Sequence, residues 1–473
     1  MEILHVSAEC YPVAKAGGLG DVAGTLPKYL NAIGHIAKVV MPMYRTKFLY
    51  ANKWEVVHKG YSNLGNWWFE FTVIKESENV LGFDLYLIDI NGLLDREKIY
   101  GYDDDTERFT AFQIAVLDWL TSWKHHPDII HVHDHHTALI PFMISNSYKY
   151  AQISGIPTVL TIHNAEYQGW MTWAQSSFIP SWNQWKWGML EWNDALNPLA
   201  SGIKCASAVT TVSPSYLAEL RQKSNGLEML FEYERGKCTG ILNGIDMDVW
   251  NPSTDSYLDY NFTIEEAEAG KAKNKMQLCE TFQLDFDKPL IVFIGRLVGE
   301  KGADILPDVI RDSFDFIGRR MNFLILGSGF PEVEAGLNNL KPMANFDYNV
   351  YIGYNEKLSH QMYAGADFLL MPSRVEPCGL NQMYSMRYGT VPMVRRTGGL
   401  KDTVIDYGDE GGYGICYEFA TVGDVCNAVW RAVEVYRDKE KMKTICSTMM
   451  QLDFGWEQSV EKYVQVYESI INR

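Results

Sequence analysis

Short apolar runs recur along the chain, and each is followed by glycine or polar residues. They fall at 3–8, 37–41, 128–132, 158–162 and 208–212 in the first half, and at 290–294, 322–326, 349–352, 368–371 and 391–394 in the second. Runs of this length bounded by turn residues predict strands buried on both faces. Helical spacings lie between them. Val22, Leu26 and Leu30 share one face of a helix predicted over 21–33, in which Pro27 predicts a kink. A second helix is predicted over 109–123. Two further strands, 67–75 and 83–90, read as a hairpin or meander. Segment 170–197 is rich in tryptophan with weak periodicity and reads as an elaborated loop containing a helix; 227–235 has no decisive pattern.

Alternating strands and helices imply parallel sheets joined by right-handed crossovers. The alternation stops at the turn-rich stretch 244–256. It restarts after a charged helix predicted over 263–281, with Thr263 as N-cap and Glu266 three residues on. The expected fold class is therefore α/β, with two Rossmann-like domains, 1–245 and 246–455, whose parallel sheets face each other across a deep cleft. The remaining segment, 456–473, predicts a helix with Val460, Tyr463, Val464 and Tyr467 on one face, suited to packing back on the first domain.

Composition narrows the partners. The net charge of −17 disfavours nucleic acid and anionic membranes, whereas a neutral polymer meets no such barrier. The 13% of aromatic residues suits surfaces that stack on sugars and equally suits bulky cores. The eight cysteines form no CxxC or other metal-ligand spacing, so a zinc site is not expected. The N-terminus lacks a signal-like segment, and no apolar run approaches the roughly 20 residues that span a bilayer. The expectation is a cytoplasmic protein with reduced thiols.

Candidate chemistry concentrates in 372–402. This stretch holds Glu376, four arginines (Arg374, Arg387, Arg395, Arg396) and two glycine turns, Gly379-Leu380 and Thr397-Gly398-Gly399, each between a strand and a helix start. Unpaired N–H groups and the helix dipole make such turns anion sites. The first half echoes it: Gly17-Gly18-Leu19-Gly20-Asp21 resembles Gly398-Gly399-Leu400-Lys401-Asp402, with Lys15 beside the turn. Arg296 and Lys301 occupy a third strand-to-helix loop, where two cations suit a pyrophosphate. Asp134, His136 and His163 follow first-half strands and suit hydrogen bonds to sugar hydroxyls. If the strand continues, His131, His133 and His135 share one face, a row too spread to converge on one ion, and no metal is expected. Neither G-x-S-x-G nor a Walker motif is present, and Gly327-x-Gly329 lacks the rest of a dinucleotide fingerprint.

In order, KAGGLGD, HDHH, TIHNAEYQG, ILNGID, GRLVGEKG and SRVEPCGLNQMYSMRYGTVPMVRRTGGLKDTV resemble the bacterial glycogen synthase and plant starch synthase family over nearly the whole chain. The resemblance implies a GT-B glycosyltransferase that moves glucose from ADP-glucose to the non-reducing end of an α-1,4-glucan with retention, in glycogen biosynthesis. It implies no metal and no other cofactor.

Lys15, Gly17, Gly18 and Asp21 would then lie on the first-domain side of the donor. His163 would sit by the reacting carbon, and Asp134, His136 and Asn243 would contact sugar hydroxyls. Arg296 and Lys301 would hold the diphosphate, and Tyr354 would stack near the adenine. Glu376 would face the donor glucose, with the amides of Cys378, Gly379 and Leu380 near its hydroxyls. Thr397, Gly398 and Gly399 would hold the distal phosphate.

Two positions depart from the wider pattern. Tyr384 stands where many retaining GT-B members carry a ribose-binding glutamate, a substitution the glycogen synthase branch shares, and Ala16 stands where threonine is common. Two other readings stay open: a retaining GT-B transferase with UDP-glucose or a different acceptor, and a non-catalytic glucan-binding protein.

Overall fold

The computed structural model describes residues 1–343 and 346–471. The chain divides into two compact units. One comprises Met1–Asn243 together with the segment starting at Trp456; the other is Gly244–Gly455.

Among the described residues, the first unit holds a nine-stranded sheet. Seven strands run parallel in the spatial order Cys238–Gly240, Ala208–Thr211, Thr158–Ile162, Ile129–His133, Glu2–Val6, Ile36–Pro42 and Asp84–Asp89. Two antiparallel strands, Trp67–Glu76 and then Trp54–Leu64, extend the last edge. The sheet is therefore mixed rather than wholly parallel. The Trp54–Leu64 strand was not expected from sequence, because exposed residues interrupt its alternation. In the predicted 21–33 region the helix is Gly18–Ala32, and Pro27 is buried within it. The 170–197 region forms two 3-10 turns, Trp173–Phe178 and Gln184–Met189, and a two-strand pair. Glu228–Tyr233 is a short helix.

The C-terminal helix Trp456–Ile471 completes this unit's core. Trp456, Val460, Tyr463 and Tyr467 pack with Ile3, Val22, Leu26, Ile129 and Val159. The apolar face read from its spacing is the face it buries.

In the second unit the described residues form a six-stranded parallel sheet: Tyr348–Ile352, Asn322–Gly327, Leu290–Ile294, Phe368–Met371, Val391–Arg395 and Ile415–Tyr417. The last strand carries three residues, too few for a periodic signal. The charged helix is Ala267–Phe282, not 263–281, and its N-cap position is Glu266, so Thr263 does not cap it.

Both sheets reverse direction of growth at one place. In the first unit successive strands go one way from Glu2–Val6 and the other way from Ile129–His133; in the second the divide lies between Leu290–Ile294 and Phe368–Met371. Loops leaving the carboxyl ends of the two strands at such a divide open away from each other, and open α/β sheets bind ligands there.

Candidate active site

The second unit's divide is lined by loops locked to one another. Gly302 takes a left-handed φ of +65°, and a Cβ there would lie 2.1 Å from the Pro372 carbonyl oxygen, so the loop after Leu290–Ile294 must pass this close as glycine. Arg374 N–H donates to the Glu300 carbonyl at 2.7 Å, and the Arg374 guanidinium donates to the Gly299 carbonyl and Asp304. Lys301 is thereby held against Glu376: its Nζ lies 2.7 and 2.8 Å from the two carboxylate oxygens. Ser373 Oγ adds a hydrogen bond of 2.9 Å to Glu376 Oε2.

The loop after Val391–Arg395 closes the third side. Gly398, at φ +45°, would bring a Cβ within 2.0 Å of the Glu376 carbonyl, and Gly399 N–H donates to that carbonyl at 3.1 Å. Thr397, Gly398 and Gly399 are buried at the start of the helix Gly398–Thr403, beside the buried Cys378. Gly379 has φ +73°, and Leu380 is the N-cap position of Asn381–Arg387. The geometry thus unites Lys301, Glu376, Cys378 and Thr397 to Gly399. Arg296 lies half exposed and pairs with Glu300 at 3.1 Å. Tyr354 is 77% exposed after the Tyr348–Ile352 strand and hydrogen-bonds Glu356, leaving a ring face accessible for stacking. Tyr384 is buried, its ring stacked 3.6 Å from Trp250, which stacks in turn on His360 at 4.1 Å. This position is occupied by packing, which accounts for an aromatic ring where a carboxylate was considered.

In the first unit, Lys15 pairs with Asp21 at 2.7 Å. Its loop is held by a residue that the motif reading passed over. Buried Glu9 accepts the backbone N–H groups of Ala16 (2.6 Å) and Gly17 (3.0 Å) on Oε2, and the Tyr100 hydroxyl (2.7 Å) on Oε1. Burial pushes the Glu9 carboxyl up. The available signal was an acidic residue directly after a buried strand; Tyr100 had none, lying in an irregular loop. A Cβ at Gly17 or Gly18 would meet nothing within 4 Å. Packing therefore does not require these two glycines.

Asp134 follows the Ile129–His133 strand in a left-handed conformation, φ +55°. This ends the alternation, so His135 leaves the face shared by His131 and His133 and lies against His136, with ring centres 3.7 Å apart and the planes tilted by 34°. The extended histidine face considered from sequence does not form. Asp134 is buried, and its Oδ1 accepts the backbone N–H groups of His163 (2.6 Å) and Asn164 (3.3 Å), so it braces the next loop. Burial outweighs these hydrogen bonds and raises its carboxyl to about 7. His136 stacks on Tyr100 at 4.7 Å. Asn243 is buried, and its Oδ1 has no hydrogen-bond partner among the described residues, an acceptor suited to a ligand hydroxyl.

His163 is 8% exposed, and its ring turns inward. Its Nε2 lies 3.0 Å from His133 Nδ1, and His133 Nε2 lies 3.1 Å from His5 Nδ1. His131 hydrogen-bonds Tyr467 (2.8 Å) and Thr161 (2.6 Å). The ligand atoms of His5, His131 and His133 lie within 4.8 Å of one another, with His5 against His133 and His131 against the hydroxyls of Tyr467 and Thr161. Burial holds these imidazoles in the neutral form, His133 down to about 3.

The chain matches known proteins along its whole length. The starch synthase catalytic domain family matches residues 2–233, and the glycosyl transferases group 1 family matches 280–444. A glycogen synthase of Flavobacterium johnsoniae is 53% identical, covering 100% of both chains; one from Streptococcus pneumoniae is 37% identical over the same share. The solved catalytic domain of starch synthase IV from Arabidopsis thaliana, bound to ADP and acarbose, superposes with a TM-score of 0.91 at 31% identity, covering 100% of this chain and 99% of that one. A sucrose-phosphate synthase from Thermosynechococcus elongatus, at 17% identity and TM-score 0.65, shares the fold. Two α/β units with a locked Lys301–Glu376 pair at one strand divide, and these full-length matches, place the chain in the glycogen synthase and starch synthase family of GT-B glycosyltransferases.

Proposed function

We propose that this glycosyltransferase takes its glucosyl unit from ADP-glucose and adds it to the 4-hydroxyl at the non-reducing end of an α-1,4-glucan, with retention. The observation that carries the reading is the pairing of Lys301 with buried Glu376 beside the buried Gly398–Gly399 turn, a cation, a carboxylate and a helix start at one strand divide. The solved starch synthase IV was bound to ADP and acarbose, which supports a nucleotide and a glucan in the same family.

In this reading, Arg296 and Lys301 carry positive charge to the diphosphate, and the turn at Thr397, Gly398 and Gly399 holds the distal phosphate. Tyr354 stacks near the adenine. Glu376 and the amides of Cys378, Gly379 and Leu380 hold the sugar. In the first unit, Lys15, Gly17, Gly18 and Asp21 serve the donor, His163 lies by the reacting carbon, and Asp134, His136 and Asn243 serve sugar hydroxyls. Asp134 acts there through the backbone it holds.

The acceptor oxygen bonds to the anomeric carbon as the bond to the ADP oxygen breaks, on the same face. The leaving phosphate takes the acceptor proton. Positive charge from Lys301 and Arg296 offsets the charge gathering on ADP, so no metal and no covalent enzyme intermediate is called on.

The test is ADP release from purified protein with ADP-glucose, with and without glycogen, beside a UDP-glucose arm. Glycogen-dependent ADP release is expected. Release from UDP-glucose alone overturns the donor; glycogen binding with no turnover of either donor overturns the enzyme reading.

A further inference from the structure

The buried histidines form a chain with a direction. His163 Nε2 meets His133 Nδ1 at 3.0 Å, and His133 Nε2 meets His5 Nδ1 at 3.1 Å. His5 lies on Glu2–Val6 and His133 on Ile129–His133, the two strands at the first unit's divide; His163 directly follows the neighbouring strand Thr158–Ile162. The far end, His5 Nε2, is buried without a hydrogen-bond partner among the described residues.

A neutral imidazole donates from one nitrogen and accepts at the other. Two such contacts in series therefore admit two arrangements. In one, every proton points toward His5, which leaves a buried N–H at His5 Nε2 with no acceptor. In the other, every proton points toward His163, which leaves only a bare lone pair in the core. An orphaned buried donor is the rarer and costlier outcome. The second arrangement wins: His5 Nδ1–H donates to His133 Nε2, His133 Nδ1–H donates to His163 Nε2, and His163 must carry its proton on Nδ1.

We infer that His5 and His133 are positioning residues that fix His163 as the Nδ1–H tautomer, so that it presents a hydrogen-bond donor rather than an acceptor to the sugar. The inference deepens the proposed role of His163 and rests on it. A donor at Nδ1 suits a substrate oxygen and excludes His163 from acting as a general base through that atom. Burial and the adjoining imidazoles keep the three rings neutral, the condition for the tautomer to be transmitted. His131 stands beside the relay, stacked on His133 at 4.4 Å, with its own nitrogens hydrogen-bonded to Tyr467 and Thr161.

Nitrogen-15 NMR of the full chain labelled at histidine tests this without any turnover. His163 is assigned by comparison with His163→Asn. The expected result is a protonated Nδ1 and a bare Nε2 near neutral pH. A protonated Nε2, or an imidazolium, overturns the relay even if the transferase is active; the expected tautomer in a protein that does not turn over ADP-glucose overturns the functional reading and leaves the relay standing. Two variants then read its effect. His133→Asn keeps an N–H donor toward His163 and is expected to retain the tautomer and a near wild-type kcat. His133→Leu removes the donor and is expected to lower kcat about tenfold, one hydrogen bond's worth, with KM for ADP-glucose little changed. Equal losses in both, with the His163 tautomer unchanged, would assign His133 to packing alone and overturn the positioning role.

Discussion

Lys301 Nζ sits between both carboxylate oxygens of Glu376, at 2.7 and 2.8 Å, with the carboxylate almost wholly buried. A buried carboxylate needs a partner, and removing one member strands the other. Lys301→Ala is therefore expected to cost about 1–3 kcal/mol of stability and to lower turnover by two or more orders of magnitude, since the same cation is assigned to the leaving diphosphate. Adding Glu376→Gln should recover much of the stability and none of the activity. Denaturant midpoints of the single and double variants check it; strictly additive losses would show that the pair is not coupled.

Gly17 and Gly398 separate two uses of glycine. At Gly398 a Cβ would lie 2.0 Å from the Glu376 carbonyl and φ is +45°, so Gly398→Ala is expected to destabilise the second unit and disable the site. At Gly17 and Gly18 the space beside the backbone is open. Gly18→Ala, in the first turn of a helix, should leave stability unchanged or slightly raised while weakening donor binding. Thermal melts beside KM for ADP-glucose decide this. An unaltered KM would remove the reason for reserving that space for a ligand.

Glu9 ties the Lys15 loop to Tyr100 through three hydrogen bonds. Glu9→Ala leaves two backbone N–H groups without their acceptor and is expected to cost about 2 kcal/mol and raise KM for the donor. Glu9→Gln keeps an acceptor and should lie much nearer wild type. Similar kinetics for the two variants would count against a positioning role.

Asp134 gives a pH dependence with a defined sign. Its carboxyl stands at about 7 in the folded chain, above the ordinary 3.8. The folded state thus favours the protonated form. Its contribution is complete below about pH 4 and is lost as pH rises through 7, by roughly 4 kcal/mol at most. Asp134→Asn keeps an oxygen for the His163 and Asn164 N–H groups and has no proton to lose. Its stability relative to wild type should rise steadily between about pH 4 and 7 and then level. Parallel stability curves from urea unfolding at a series of pH values would rule this out.

Tyr384→Glu would restore a carboxylate at the position where related transferases carry one. The ring it replaces is buried against Trp250 at 3.6 Å. A loss of about 2–4 kcal/mol is expected, with no gain in nucleotide affinity. Tighter binding of ADP by calorimetry would mean that the position still faces the ribose.

Local sequence determined the elements that pack on both faces. Strands such as Thr158–Ile162, Leu290–Ile294 and Phe368–Met371 were legible to the residue, because a run buried on both sides is predominantly apolar. The helix Trp456–Ile471 was legible because its buried face repeats every three to four residues. The strand Trp54–Leu64 was not: at the sheet edge, exposed positions break the pattern that burial would impose. Motif residues announced Lys301, Glu376 and Gly398 through their spacing after strands. What they touch was decided only when strands distant in the chain became neighbours. Lys301 and Glu376 are 75 residues apart and meet because their strands adjoin at the divide. In the first unit, the divide between Glu2–Val6 and Ile129–His133 likewise brings His5 to His133 across 128 residues, with His163 beyond. A histidine in a sequence offers two nitrogens and no preference; only the neighbours that the fold supplies select which one holds the proton.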